Sequence, residues 1–309
     1  MLGLVIPYFE NEEYLREMVA SVRCQDSGEW RALVVDDSIN GLSQDTHKWI
    51  SEDERFLVKR NVVNLGPSKS WNLGISEIVR FHPRLEVVAV VHADDRLRRE
   101  YVRDSLATHR EFPEALAIHT GVQTINQWGR RTIYVRDLVK WVIQPRCFSA
   151  HIVSIGDKGL AQILRGNFVF CPTLTVKAVA IEQPLFSEEL QQTMDLDLIS
   201  RLLSTGQPIV GLKKPLYSYR RHNRSLTLRN EDSGWRFLEE ASTYADIARA
   251  TRKSGFIESS RVAAKMRIII LHITYSLLRA VVTIHLHESL RILGVLREVL
   301  RIRRSIAVV

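Results

Sequence analysis

The chain of 309 residues is 45% hydrophobic and 25% charged, an ordinary globular composition with ample length for a buried core. Its three cysteines, Cys24, Cys147 and Cys171, stand far apart with no C-x-x-C pair, which excludes a disulfide framework or a cysteine zinc site and suits a reducing compartment. The net charge of +8 is lopsided: residues 261–309 hold eight arginines and one lysine against two glutamates, so seven of the eight charges lie in the tail.

The opening lacks the basic segment of a secretory leader, because acidic residues follow the first apolar run at once. That run, Leu2 to Ile6, predicts a buried strand ending near Pro7. Glu12 to Val22 predicts a helix with Leu15, Met18, Val19 and Val22 on one face. Trp30 to Val35 predicts a second strand stopped by Asp36 and Asp37, and Leu57 to Asn61 a third. A helix is expected over Ser68 to Val79. Leu85 to Val91 is a β-branched strand that runs straight into His92-Ala93-Asp94-Asp95. Further on, a helix is expected over Glu100 to Arg110 and a hairpin over Gln123 to Arg136 around Gly129. Gly166 to Ala180 reads as extended, Asp195 to Thr205 as a helix, and Glu231 to Thr251 as a polar helical region.

Strands alternating with helices imply an α/β domain with a mainly parallel sheet. Ligands of such sheets bind beyond the carboxyl ends of the strands, which is where both aspartate pairs fall. Asp94 with Asp95 suits a hard divalent cation, since such ions take one or two carboxylates plus substrate phosphates. A carboxylate at Asp36 or Asp37 can accept from a base or ribose. Asn64 to Ser68, leading into Asn72 and Gly74, combines a tight turn with backbone N–H groups that can approach phosphate. Asp195, at a helix start, has the chemistry of a general base toward a hydroxyl. The run from Tyr219 to Thr227 gathers Arg220, Arg221, His222 and Arg224, cations suited to a leaving diphosphate. Taken alone, Asp94 with Asp95 reads first as a solvated turn and the run from Tyr219 as a basic surface loop, Asn64 to Ser68 reads equally as a plain strand-to-helix turn, and the acids at Asp36, Asp37 and Asp195 also serve as turn or helix-start residues.

Together and in order, these pieces resemble glycosyltransferase family 2, inverting enzymes of the GT-A fold. The resemblance covers residues 2 to 227. It rests on Val5-Ile6-Pro7-Tyr8-Phe9-Glu10, on Leu33 to Ser38, and on the N-x-G pattern of Asn64-Leu65-Gly66 and Asn72-Leu73-Gly74. It rests also on Val91 to Asp95, on Asp195 at the base position of an E-D-x-D-L motif, and on the Y-R-x-H-x-x-S-x-T pattern from Tyr219 to Thr227. The sequence departs from the family at His92 and Met194, where acids are usual, and at Glu10, where Asn is common. The resemblance implies a GT-A domain over 1–230, a Rossmann-like sheet flanked by helices, and a helical extension over 231–309. It implies Asp195 as catalytic base. Mn²⁺ or Mg²⁺ would be held by Asp95 with His222. Pro7, Tyr8, Glu10, Asp36, Asp37, Asn64, Gly66, Asn72, Asp94 and Arg220 would hold a sugar nucleotide, with uridine diphosphate favoured. The acceptor would be a glycan or lipid-linked hydroxyl in cell-surface polysaccharide or glycolipid synthesis.

Two readings compete. One is a sugar nucleotidyltransferase, which usually needs an early glycine-rich basic loop that Pro7 to Tyr14 lacks. The other is an inactive sugar-nucleotide-binding protein, which the changes at His92 and Met194 would fit.

The tail, Arg261 to Arg304, carries Ile268, Leu271, Tyr275, Leu278 and Val282 at helical spacing. Its longest uncharged run, Ile268 to Leu278, falls short of the ~20 residues a spanning helix needs. One or two amphipathic helices are expected, either lying on the cytoplasmic membrane face or packing as a helical subdomain. Interleaved with Leu, Ile and Val, the cations suit a membrane surface and carry no motif for nucleic acid.

Overall fold

The computed structural model describes residues 1–133, 149–181, 184–221, 234–282 and 286–307. They form two compact units. The first comprises the described residues of 1–153, 168–191 and 207–221, the second those of 154–167, 192–206 and 234–307. The boundary expected near residue 230 falls outside the described residues.

The first unit is built on a mixed sheet. Strands β1 (Leu2–Tyr8), β2 (Trp30–Asp36), β3 (Phe56–Arg60) and β4 (Val87–Val90) run parallel in the order β3-β2-β1-β4. Leu2, Leu4, Val5, Ile6 and Val87 to Val90 are buried, as near-continuous apolar strands covered on both faces must be. Burying each such side chain contributes roughly 1.5–3 kcal/mol before entropy is counted. Beyond β4 the sheet turns mixed. Strand β8 (Leu174–Lys177) lies antiparallel to β4, and β6 (Ala117–Ile125) antiparallel to β8. Long β9 (Ile209–Arg220) runs parallel to β6, and β5 (Arg96–Leu97) and β7 (His151–Ser154) pair with β9.

Register decides where the loops emerge. Tyr8 stands opposite Asp36, Asp36 opposite Arg60, and Val5 opposite Val90. Residues 9–11, 37–43, 61–66 and 91–95 therefore leave the sheet along one rim. Helix α1 (Glu12–Arg23) buries Leu15, Met18, Val19 and Val22, and Asn11 caps it by accepting from Tyr14 N. Helix α3 (Pro67–Phe81) starts after Gly66, whose φ of 76° suits glycine, with Pro67 in its first turn. Gly74 lets α3 approach the sheet: a Cβ there would meet Val5 Cγ1 at 2.4 Å and Val35 Cγ2 at 2.8 Å.

Several elements differ from the sequence expectations. Helix α2 (Gln44–Ser51) and strand β9 carry no clean apolar period and were not expected. Helix α4 (Tyr101–Glu111) stands as expected. The hairpin around Gly129 reduces to a turn and one antiparallel bridge, Ile125 to Arg131, because β6 pairs instead with β8 and β9. Residues 134–136 of it lie outside the described residues. The extended segment from Gly166 is interrupted by 3-10 turns at Cys171–Thr173 and Ala178–Ala180, leaving β8 only four residues.

The second unit is helical: α5 (Gly156–Arg165), α6 (Met194–Ser204), α7 (Trp235–Lys253), α8 (Ile257–Lys265), α9 (Arg267–Val282) and α10 (Leu286–Ala307). Asp157 of α5 accepts from the N–H groups of Glu258 and Ser259 and from the Ser259 hydroxyl, fixing the start of α8. Tyr244 of α7 donates to the Leu164 carbonyl of α5. The tail thus forms three helices where one or two were expected, because left-handed Met266, φ 47°, breaks α8 from α9. Helix α9 is apolar on two sides. Ile269, Ile273 and Ala280 are buried, while Leu271, Tyr275, Leu278 and Val282 are exposed. No helix among the described residues is long and apolar enough to cross a membrane.

Candidate active site

Strand β4 delivers His92, Asp94 and Asp95 to the rim. One ligand atom from each lies within 4.8 Å of the others. A nitrogen and two carboxylates at that separation fit one divalent cation.

Asp95 is fully buried. Its Oδ1 accepts from Arg220 N at 2.6 Å and its Oδ2 from the Tyr217 hydroxyl at 2.8 Å. The Tyr217 oxygen in turn accepts from His92 N at 3.1 Å. Burial first, and the Asp94 charge second, push the Asp95 carboxyl well above the usual carboxylate range, against the pull of Arg220 and Tyr217. Asp94 is half-buried. Asp95 is thus tied into the fold through both oxygens, and Asp94 is the partly accessible carboxylate of the pair.

The His92 side chain is 26% exposed, with Nδ1 3.8 Å from Asp95 Oδ2. Its Nε2 is buried without a hydrogen-bond partner. Burial holds its pKa below the ordinary histidine value, partly opposed by Asp94. The ring packs on Trp71, centroids 5.4 Å apart, and Trp71 meets the Phe186 ring edge-on at 5.2 Å.

Arg220 was expected over a diphosphate, but its side chain has no exposed surface. Its Nε donates to the Asp94 carbonyl at 2.6 Å and Nη1 to the Gln127 carbonyl at 3.1 Å. Nη2 pairs with Glu17 of α1, and the guanidinium lies 4.3 Å from the Tyr14 ring centre. The cation therefore fixes the backbone of the His92–Asp95 turn from behind.

On β2 the paired aspartates shape two loops. Asp36 accepts from Ser38 N, the Ser38 hydroxyl and Leu42 N. Asp37 accepts from Asn61 Nδ2, Leu65 N, Gly66 N and Asn64 Nδ2 at 2.7–3.2 Å. Alternation along the strand sends the two neighbours to opposite faces. The ends of β2 and β4 flank β1, which separates them by roughly 10 Å at ordinary strand spacing. Pro7 and Tyr8 close β1, and Glu10 is exposed just beyond. The Tyr8 hydroxyl is pushed up to about 12 by burial and then by Glu12, Asp36 and Glu10. An open cavity of about 430 Å³ lies beside Asp36, lined by Leu42, Gln44, Lys48, Val58 and Arg60. Asn72 is buried, and its amide both donates to the carbonyl and accepts from the N–H of Phe186. Its role is to pin residue 186 under Trp71.

In the second unit, Asp195 opens α6. Its Oδ1 accepts from Leu196 N at 2.8 Å, and its Oδ2 from Asn167 Nδ2 at 3.2 Å. Met194 is buried in the position where the family's acid was expected. The turn before α6 is held by buried Glu239 of α7, which accepts from Gln192 N, Thr193 N and the Thr193 hydroxyl at 2.7–3.0 Å. His222 and the rest of the run to Thr227 lie outside the described residues.

Sequence reasoning missed Glu17, Tyr217 and Glu239. Tyr217 had one signal, its place in the alternation Tyr217-Ser218-Tyr219 leading to Arg220.

The profile of glycosyl transferase family 2 matches residues 4–161. The match spans just over half of the chain, and the chain belongs to this family. Among solved structures, S. aureus TarS 1–349 in complex with UDP-GlcNAc is 18% identical, with a TM-score of 0.67 over 97% of this chain and 81% of that one. The same segment in complex with UDP is 18% identical, with a TM-score of 0.54 over 98% and 91%. Against a longer S. aureus TarS the identity is 18%, the TM-score 0.60 and the coverage 86% of this chain. The chain spans 42% of that longer protein. At this identity the likeness shows the fold: a sheet flanked by helices, of the GT-A type. No curated protein matches the sequence.

Proposed function

We propose that this glycosyltransferase moves a sugar, with inversion, from a nucleoside diphosphate-sugar to an acceptor hydroxyl, with a divalent metal ion. The observation that carries the proposal is the His92–Asp94–Asp95 cluster at the end of β4, the edge where α/β sheets bind ligands. UDP-sugars are the favoured donors, because TarS of the same fold is described in complex with UDP-GlcNAc and with UDP. The open cavity beside Asp36, bordered by Lys48 and Arg60, supports an anionic nucleotide at this rim. Asp195 takes the acceptor O–H proton. The oxygen's electron pair then forms the new bond to the anomeric carbon while the bond to the diphosphate oxygen breaks. Mn²⁺ or Mg²⁺, held by Asp94 and Asp95 with His92, would stabilise the leaving charge.

Nucleotide diphosphate release from a panel of UDP-sugars tests this. Release is expected with the full chain and Mn²⁺, is expected to stop with a chelator, and is expected to fall by roughly two to three orders of magnitude in Asp94→Asn, the loss typical of one charge stabiliser. Equal release with and without chelator would sink the metal-dependent reading.

We further place the chain on an anionic membrane surface, near a lipid-linked or cell-surface glycan acceptor on the cytoplasmic side. Leu271, Tyr275, Leu278 and Val282 form an exposed apolar stripe on α9, within the segment that carries most of the net positive charge. Full-length protein is expected to float with phosphatidylglycerol vesicles at low salt, and Leu278→Glu to stay behind. Identical flotation of both proteins would remove this placement.

A further inference from the structure

We propose that His92 is a direct nitrogen ligand that turns this chain's ion preference toward Mn²⁺ or Co²⁺ and away from Mg²⁺. The proposal rests on the metal-dependent reading above and deepens it.

The ring is packed on one face, and its backbone is fixed. Trp71 covers one face, and Trp71 is itself braced by Phe186, which Asn72 pins through both backbone groups. The Tyr217 hydroxyl fixes the His92 main chain and, on its other side, Asp95. So much positioning would be wasted on an imidazole with nothing to bind. Neither ring nitrogen makes a hydrogen bond: Nδ1 is 3.8 Å from Asp95 Oδ2, and Nε2 is buried without a partner. Buried polar atoms are nearly always satisfied, and of the unpartnered ones among the described residues His92 Nε2 is the one that belongs to a cluster of potential metal ligands. A neutral imidazole keeps one lone pair, directed in its ring plane, for a cation.

Nitrogen changes which cation wins. Mg²⁺ prefers oxygen ligands in near-ideal octahedral geometry and sheds water reluctantly. Imidazole suits transition ions, and their affinities climb from Mn²⁺ to Co²⁺ along the Irving–Williams order. A third carboxylate at this position would have added negative charge and served Mg²⁺ well. His92 adds no negative charge and a softer donor.

The experiment is electron paramagnetic resonance of Mn²⁺ on the full chain, with and without UDP, with Mg²⁺ as competitor. Pulsed spectra of the wild type are expected to show hyperfine coupling to an imidazole ¹⁴N, and His92→Gln to lose it. His92→Asp is expected to shrink the Mn²⁺ over Mg²⁺ preference by roughly tenfold or more, since even the partners of metal ligands are worth 10–100-fold in affinity. Bound Mn²⁺ without nitrogen coupling in the wild type, or an unchanged preference in His92→Asp, would overturn the proposal while leaving the metal-dependent reading intact. Wild type that binds no Mn²⁺ under either condition would overturn both. Coupling that persists in a folded His92→Gln would also overturn the proposal, because another histidine would then supply the nitrogen.

Discussion

Asp95→Ala is expected to lower the unfolding free energy by about 3–5 kcal/mol and to abolish transfer, whereas Asp94→Asn is expected to slow transfer by roughly two to three orders of magnitude with little loss of stability. The two carboxylates are neighbours in sequence and in charge, yet they do different work. Asp95 is fully buried and accepts from the Tyr217 hydroxyl and Arg220 N. Deleting it strands two buried donors, each costing roughly 1–3 kcal/mol when left unmade, and opens a cavity beneath the His92–Asp95 turn. The Arg220 side chain would remain locked to Glu17 and the Asp94 carbonyl. Urea denaturation of the two variants beside the wild type decides the matter. Equal midpoints for Asp94→Asn and Asp95→Ala would show that Asp95 is not a framework residue.

This division of labour explains what could be read in the sequence. Strands β1, β2 and β4 were legible because parallel strands buried on both faces must be near-continuous apolar runs, and Leu2 to Ile6, Ala32 to Val35 and Val87 to Val91 are. The rim followed, since an aspartate pair ends two of them. Which member of the Asp94–Asp95 pair would be buried was not legible. For Asp95 that depends on Tyr217 and Arg220, more than 120 positions later, on a strand whose sequence gives little warning. Strand β9 contains Lys213, Lys214 and Pro215, and it pairs with β6 through register shifts around Gly121. Its lysines and proline read as loop, and only pairing with β6 and β5 makes them strand. The Arg220 cation was visible, but its burial was not, because the neutralising acid, Glu17, sits on α1 among residues that read as solvated helix face. Asn72 and Gly74 looked like nucleotide-loop residues. One clasps Phe186 and the other lets α3 touch β1 and β2, so their spacing reflects packing as much as chemistry.

Asp195→Asn is expected to cut the rate by about 10²–10⁴-fold, the usual contribution of a positioned base, with donor affinity unchanged. An amide keeps the shape and the contact with Asn167 but cannot accept the acceptor proton at its nitrogen. The supporting residue is Glu239, which no motif announced. The N–H groups at a helix start have no intrahelical partners, and here a buried carboxylate from α7 takes those of Gln192 and Thr193 together with the Thr193 hydroxyl. Glu239→Ala strands two backbone donors two to three residues before Asp195, while the Thr193 hydroxyl keeps Thr243. It is expected to cost roughly 3 kcal/mol of stability and to lower kcat while leaving the donor KM alone, since the loss falls on the base and not on the nucleotide rim. Glu239→Gln keeps one acceptor oxygen and should recover most of both. If Asp195→Asn turned over donor at the wild-type rate, the proton would have to leave by another route, and the stable turn built by Glu239 would be scaffolding only. If instead Asp195→Asn is slow and Glu239→Ala is slow with normal donor KM, Asp195 is the base, and Glu239 holds it in place.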